Sequence, residues 1–223
     1  IVEGLLGANL VGFQVPGGAS NFLRLVRQLT QNHVHRDRVA VDGDHTCVAR
    51  AYPISIDTEE FRNLSRSPEV IAESKALLED LGHPKTIILG VDRLDYTKGL
   101  RQRLHVIGEL FEEGRLDPNE SVFFQVATPS RERVKEYKRL RHDIDQQVGR
   151  INSEIGGVGR PPIVYRHSSF PRSTMAALYR LADLMVVTPL RDGMNLVAKE
   201  YIACHRAQRV RRSRARTAPG VHG

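Results

Sequence analysis

"TIILGVDRLDYTKGLRQRLHVIGELFEEG" occupies residues 86–114, and its reading decides the fold. The first six residues are mainly apolar and β-branched, as a strand buried on both faces requires. A polar loop, "DRLDYTKG", follows. Leu100, Leu104, Ile107 and Phe111 then recur every three or four residues, the spacing of one helical face. Gly114 supplies a helix stop. Outward from this unit the same theme returns three times. "SVFFQVA" (121–127) leads into "TPSR" and a charged helix to about Val148. "PIVYR" (162–166) leads into "HSSF" and the helix "RSTMAALYRLADL", with Ser173 or Thr174 as its cap. "LMVV" (184–187) leads into "TPLRDGMN" and "LVAKEYIA". Short apolar strands alternating with helices predict an α/β domain with a doubly wound parallel sheet and right-handed crossovers.

The upstream residues read as the end of a different unit. "NLVGFQ" (9–14) has the pattern of a strand. "GASNFLRLVRQLT" has that of a helix, with Phe22, Leu25, Val26 and Leu29 on one face. "TCVARAYPISID" (46–57) reads as a strand leaving the unit. Residues 58–84 are polar and helical, with Pro68 at a helix start. The expected organisation is the end of one unit (1–57), a helical linker (58–85), an α/β domain (86–204) and a basic tail (205–223).

Composition excludes several classes. The 223 residues are 40% hydrophobic and 26% charged, the balance of a soluble globular chain. The formal charge is +7, but the tail holds six arginines and no acid, so the body is close to neutral. The high charge is therefore weak support for a nucleic-acid-binding body. Cys47 and Cys204 form no CxxC or Cys/His pattern, so neither a metal site nor a disulfide framework is expected. A reducing compartment such as the cytoplasm fits them. No membrane span is expected, since no run reaches about 18 apolar residues, nor is a signal peptide. The first methionine is Met175, and the chain is read as a piece of a longer one.

In open parallel sheets ligands bind beyond the carboxyl ends of the strands. Asp92, Arg93 and Lys98 follow the first strand there, and Ser130 and Arg131 the second. His167 and Phe170 follow the third; Arg191, Asp192, Gly193 and Asn195 follow the fourth. Several cations at one edge suit an anionic, phosphorylated ligand. A helix opening near Asn195 would add backbone N–H groups and a positive dipole end. Each residue has a plainer reading too: a solvated surface arginine, a helix cap for Asp92, packing for Phe170, a wedge for Tyr96. Gly156, Gly157 and Gly159 match no phosphate-loop spacing, and "VPGGAS" (15–20) reads as a loop. Asp192 and Glu200 form a D-x7-E pair able to accept from vicinal hydroxyls; spacing alone favours an exposed acid and a helix-surface glutamate.

"GVDRLDYTKGL" and "TPLRDGMNLVAKEY" resemble the trehalose-6-phosphate synthases, retaining GT-B glycosyltransferases of family 20. "LLGANLVGFQVPGGASNFLRL", "AYPISID" and "GRINSEIG" resemble them in the same order, so the likeness runs from residue 1 to about 204. It implies glucose transfer from UDP-glucose or ADP-glucose to glucose 6-phosphate, with retention, giving α,α-trehalose 6-phosphate. It implies Arg93 and Lys98 on the donor diphosphate and Arg131 on the acceptor phosphate. Phe170 would contact the base through its backbone. Asp192, Gly193, Met194 and Asn195 would clamp the glucose. Leu196, Val197, Ala198, Lys199 and Glu200 would form the diphosphate and ribose segment, with Glu200 on the ribose hydroxyls. No protein nucleophile, cofactor, metal or nucleic-acid partner is implied, and full-length members are expected to be homo-oligomers. The resemblance implies that residues 1–57 are the C-terminal remnant of a Rossmann-like domain, most of which would precede Ile1, and that residues 86–204 are an incomplete Rossmann-like nucleotide-sugar-binding domain. After "AKEYIAC" the pattern is lost, and "HRAQRVRRSRARTAPGVHG" reads as a frameshifted or foreign end. The chain alone is expected to be inactive. Alternatives are a truncated nucleotide-sugar-binding module and another retaining GT-B glucosyltransferase.

Overall fold

A computed structural model describes residues 1–41, 43–130, 133–156 and 160–205. The chain divides into two compact units, Ile1–Ser55 and the residues from Ile56 onward.

In the first unit, α1 (Val2–Leu6) precedes β1 (Leu10–Phe13), α2 (Pro16–Leu29), β2 (His33–His35), β3 (Arg38–Ala40) and β4 (Thr46–Ala51). The strand order is β1-β4-β3-β2, with β1 and β4 parallel and the other pairs antiparallel. α2 begins at Pro16, inside the stretch expected to be a loop. Proline carries no N–H and its fixed φ suits the first helical position, while Val15 before it is extended. The buried face of α2 is Ala19, Phe22, Leu23 and Val26; Leu25 and Leu29, expected inside, are exposed. The i, i+3, i+4, i+7 stripe starts one turn earlier than expected, at Ala19, and so takes Leu23 rather than Leu25. It packs on Val39, Cys47 and Ala49.

The second unit opens with α3 (Thr58–Leu64) and α4 (Pro68–Asp80). Asp57 caps the first, accepting from Glu60 N at 2.9 Å, and Ser67 Oγ caps the second, accepting from Val70 N. These helices, expected as a linker, are counted within this unit. Phe61 and Val70 are buried in the core of this unit. There follow β5 (Thr86–Arg93), a 3₁₀ turn (Tyr96–Lys98), α5 (Leu100–Glu112), β6 (Ser121–Thr128), α6 (Lys135–Ile155), β7 (Ile163–Arg166), α7 (Arg172–Leu181), β8 (Leu184–Met185) and α8 (196–205). The sheet order is β7-β6-β5-β8, all parallel.

Alternation along the strands builds two cores. Ile87, Leu89, Val91, Val122, Phe124 and Val126 face α3, α4 and α7. Ile88, Phe123, Ala127 and Ile163 face Leu100, Leu104, Ile107 and Phe111 of α5 and Ile144, Val148 and Ile151 of α6. Removing one fully buried ring, as in Phe123→Ala, would cost about 3–5 kcal/mol. α6 runs past Val148 to Ile155, and its Asn152 holds the edge of β7 by bonding both N and O of Ile163. Neither Ser173 nor Thr174 caps α7, which begins at Arg172 after the extended Pro171. β8 is two residues long instead of four.

The chain enters this sheet at β5, steps outward through β6 to β7, and α7 carries it back across to β8 on the other side of β5. The winding therefore reverses between β5 and β8, the place in an open parallel sheet where ligands bind beyond the carboxyl ends of the strands.

Candidate functional site at the sheet reversal

Two loops meet at this reversal. The loop after β5 is shaped by Asp95, whose Oδ1 accepts from Thr97 N at 2.9 Å and from Thr97 Oγ1 at 2.7 Å. Tyr137 of α6 donates to its Oδ2 at 3.0 Å. Burial raises the Asp95 carboxyl, yet the donors from Thr97 and Tyr137 together leave its pKa below the usual carboxylate value. Gly99 ends the loop with φ +66°, and a Cβ there would stand 2.5 Å from the Thr188 carbonyl oxygen. Only glycine allows that turn and that approach. The loop after β8 is stitched to it: Leu190 N donates to Thr97 O at 2.8 Å.

The stitching brings Lys98 and Asp192 together. Lys98 Nζ donates to Asp192 Oδ2 at 2.6 Å, with the two side chains 13% and 19% exposed. The hydrogen bond from Lys98 is the main reason the Asp192 carboxyl sits below its ordinary pKa. The Gly193 N–H and the Asn195 side chain act in the same direction, against the effect of burial. Asn195 Oδ1 also caps α8, accepting from Ala198 N at 2.9 Å. The amides in the first turn of α8 have no carbonyl partner within the helix, so its positive end opens beside the ion pair.

The remaining expected residues divide. Arg93 ends β5 with its side chain exposed. Met194, Leu196, Ala198 and Lys199 are half-buried, and Val197 packs into the core, so its side chain is an anchor. Glu200 lies a turn inside α8, where Tyr179 Oη of α7 donates to its Oε2 at 2.8 Å. Burial, reinforced by that carboxylate, pushes the Tyr179 hydroxyl far above its usual pKa. Phe170 packs against the core beyond β7. Ser130 and His167 line one cleft of about 480 Å³ with Leu94, Tyr137, Lys138 and Arg141. Arg131 lies outside the described residues, as do Gly157, Gly159 and the tail from 206. Asp92 is neither a loop ligand nor a helix cap. It belongs to β5, and its buried carboxylate meets Arg103 Nη1 at 2.6 Å.

Arg103 and Thr188 were not among the expected residues. On the α5 side of the sheet, Gly90, Asp92 and Gln125 interrupt otherwise apolar strands. Arg103 fills the gap, with Nη1 also 2.9 Å from Gln125 Oε1 and Nε 2.9 Å from Thr188 Oγ1. Polar residues at inward strand positions were the available signal. Among the described residues no group of three or more His, Cys, Asp or Glu side chains could hold a metal ion. No described helix is long and apolar enough to cross a membrane.

Comparison with known proteins fits this geometry. Residues 1–214 match the model of Glycosyltransferase family 20, which carries the likeness past residue 204 into the arginine-rich end. The trehalose-6-phosphate synthases of Mycobacterium sp. (strain KMS) and Mycobacterium leprae (strain TN) are 51% and 50% identical over 212 residues. Each comparison covers 92% of this chain and 43% of the relative. The chain thus spans less than half the length of these relatives. A Burkholderia xenovorans alpha,alpha-trehalose-phosphate synthase (UDP-forming), solved with glucose 6-phosphate, superimposes with TM-score 0.82 at 35% identity. It is covered over 91% of this chain and 45% of its own. An E. coli structure bound with UDP-2-fluoro glucose gives 0.78 at 33%, over 91% of this chain and 45% of that one. The fold is of the GT-B type these structures share, and the chain belongs to glycosyltransferase family 20.

Proposed function

We propose that this chain carries the donor half of an α,α-trehalose-6-phosphate synthase. In this reading glucose passes from UDP-glucose or ADP-glucose to glucose 6-phosphate with retention of configuration. The observation that carries it is the Lys98–Asp192 pair at the reversal of a parallel sheet, beside the N-terminus of α8. Lys98 and Arg93 would neutralise the diphosphate as it leaves, where charge grows most in the transition state. Asp192, relieved of Lys98, would accept from glucose hydroxyls with the amides of Gly193, Met194 and Asn195. Leu196 to Lys199 would offer helix-end amides to the diphosphate, and Glu200 would take the ribose hydroxyls. Phe170 would meet the base through its backbone, and Arg131 would meet the acceptor phosphate. No metal or cofactor is needed for these roles. The cytoplasm and a homo-oligomeric whole protein complete the proposal, and the 223-residue chain alone binds donor without turnover.

Calorimetric titration of UDP-glucose and ADP-glucose tests this. The expected result is saturable binding that Lys98→Ala weakens by about tenfold or more, as loss of a charge-assisted contact implies. No binding of either sugar nucleotide, or equal binding by Lys98→Ala, would refute it. Nucleotide release on adding glucose 6-phosphate would show that the chain also turns over unaided. Product analysis would then separate trehalose 6-phosphate from another glucoside.

A further inference from the structure

We propose that Arg103 is a positioning residue for the Lys98–Asp192 pair and acts through the hydroxyl of Thr188. The inference rests on the donor-site reading above. In the fold Arg103 lies on the inner face of α5, buried beside Leu100 and Leu104. A guanidinium buried there, 3% exposed, must be paired. It is held from two strands: Asp92 Oδ2 of β5 accepts at 2.6 Å and Gln125 Oε1 of β6 at 2.9 Å. Gln125 is itself fixed by donating to Val126 O at 2.8 Å. Gly90 leaves the space, since a Cβ there would stand 2.9 Å from Arg103 Nη1. The guanidinium is thus clamped, with Nε aimed at Thr188.

Thr188 is the point where that rigidity can reach the site. β8 gives the sheet only Leu184 and Met185, followed by one further bond from Val186 N to Leu89 O. Beyond it the chain runs to α8 without regular structure. Along this stretch the anchors come in order. Thr188 Oγ1 accepts from Arg103, the Thr188 carbonyl lies over Gly99, Leu190 N donates to Thr97 O, and Asp192 meets Lys98. Arg103 therefore ties the loop bearing Asp192 to the interior of the sheet, and the loop in turn fixes the turn bearing Lys98. A cation and an anion held in register before the ligand arrives lose less freedom on binding it.

Thr188→Val deletes the acceptor and leaves the Asp92–Arg103–Gln125 cluster intact; Thr188→Ser keeps the hydroxyl. Two readouts separate positioning from mere stability. The first is amide hydrogen exchange of Leu190, which needs no ligand and should accelerate about tenfold in Thr188→Val and stay at the wild-type rate in Thr188→Ser. The second is UDP-glucose affinity, which should fall by about tenfold in Thr188→Val and recover in Thr188→Ser. The inference is overturned if Thr188→Val keeps wild-type exchange at Leu190, or if it binds UDP-glucose as wild type does while Lys98→Ala does not. It is also overturned if Thr188→Ser behaves like Thr188→Val. A wild-type chain that binds no UDP-glucose overturns the donor-site reading, and this inference with it.

Discussion

Breaking the Asp92–Arg103 pair from its two ends should give two different pH profiles. The side chains are 2% and 1% exposed, so neither charge has water to fall back on. Removing one member of a buried pair costs about 3–5 kcal/mol when the other stays charged. In Asp92→Asn the guanidinium must stay charged, because arginine does not lose its proton in a protein. That cost should be flat from pH 5 to pH 8. In Arg103→Met the remaining carboxyl can escape by taking a proton. Burial already pushes the Asp92 pKa up, opposed chiefly by Arg103. Without Arg103 it rises further. A carboxyl whose folded pKa is raised binds a proton more readily in the folded state, so the folded form loses stability as pH rises through the window. The loss is about 1.4 kcal/mol per pH unit, hence up to about 2.7 kcal/mol between pH 5 and pH 7. Urea unfolding followed by far-ultraviolet circular dichroism, on wild type and both variants at pH 5, 6, 7 and 8, measures the differences. The midpoint deficit of Arg103→Met should widen with pH while that of Asp92→Asn stays constant. Parallel profiles would mean that Asp92 remains charged without Arg103, and the account of a desolvated pair would be wrong.

Three further outcomes follow from the same geometry. Gly99→Ala should destabilise the fold by about 1–3 kcal/mol, read as a lower thermal midpoint, because φ is +66° and the new Cβ would strike the Thr188 carbonyl. Asp192→Asn should lower stability by a constant amount near neutrality. Because the Asp192 pKa is depressed, its contribution is full above the ordinary carboxyl value of 3.8 and fades as pH falls through the lower folded value, so the two midpoints should converge only in acid. Tyr179→Phe should cost about 1–3 kcal/mol in urea unfolding, since it removes the donor to Glu200 Oε2 and leaves that oxygen half-buried.

The parts of this fold that the sequence made legible are those where one residue type serves one purpose. β5 and β6 announce themselves because both faces are covered and nearly every position is apolar. α5 does so because its inner stripe repeats at helical spacing through four large side chains. The loops at the carboxyl edge could then be found by counting from strand ends, and Lys98, Asp192 and Asn195 do meet there. What stayed hidden were residues whose role depends on a partner far along the chain. Arg103 reads as one more surface arginine until Asp92, 11 residues before it, and Thr188, 85 after it, are folded against it. Asp92 looked like a loop residue because an aspartate is costly inside a strand, and only the guanidinium opposite makes it tolerable. The β2–β3 hairpin left no trace either: two three-residue strands, each with a single inward valine, carry too short an alternation to register. β8 was overestimated for the converse reason. Val186 and Val187 have strand propensity, but pairing with β5 ends at Met185, and the chain turns instead toward Arg103 and Gly99. The departure from local propensity falls where the winding of the sheet reverses, so the stretch least readable as a strand is the one that presents Asp192.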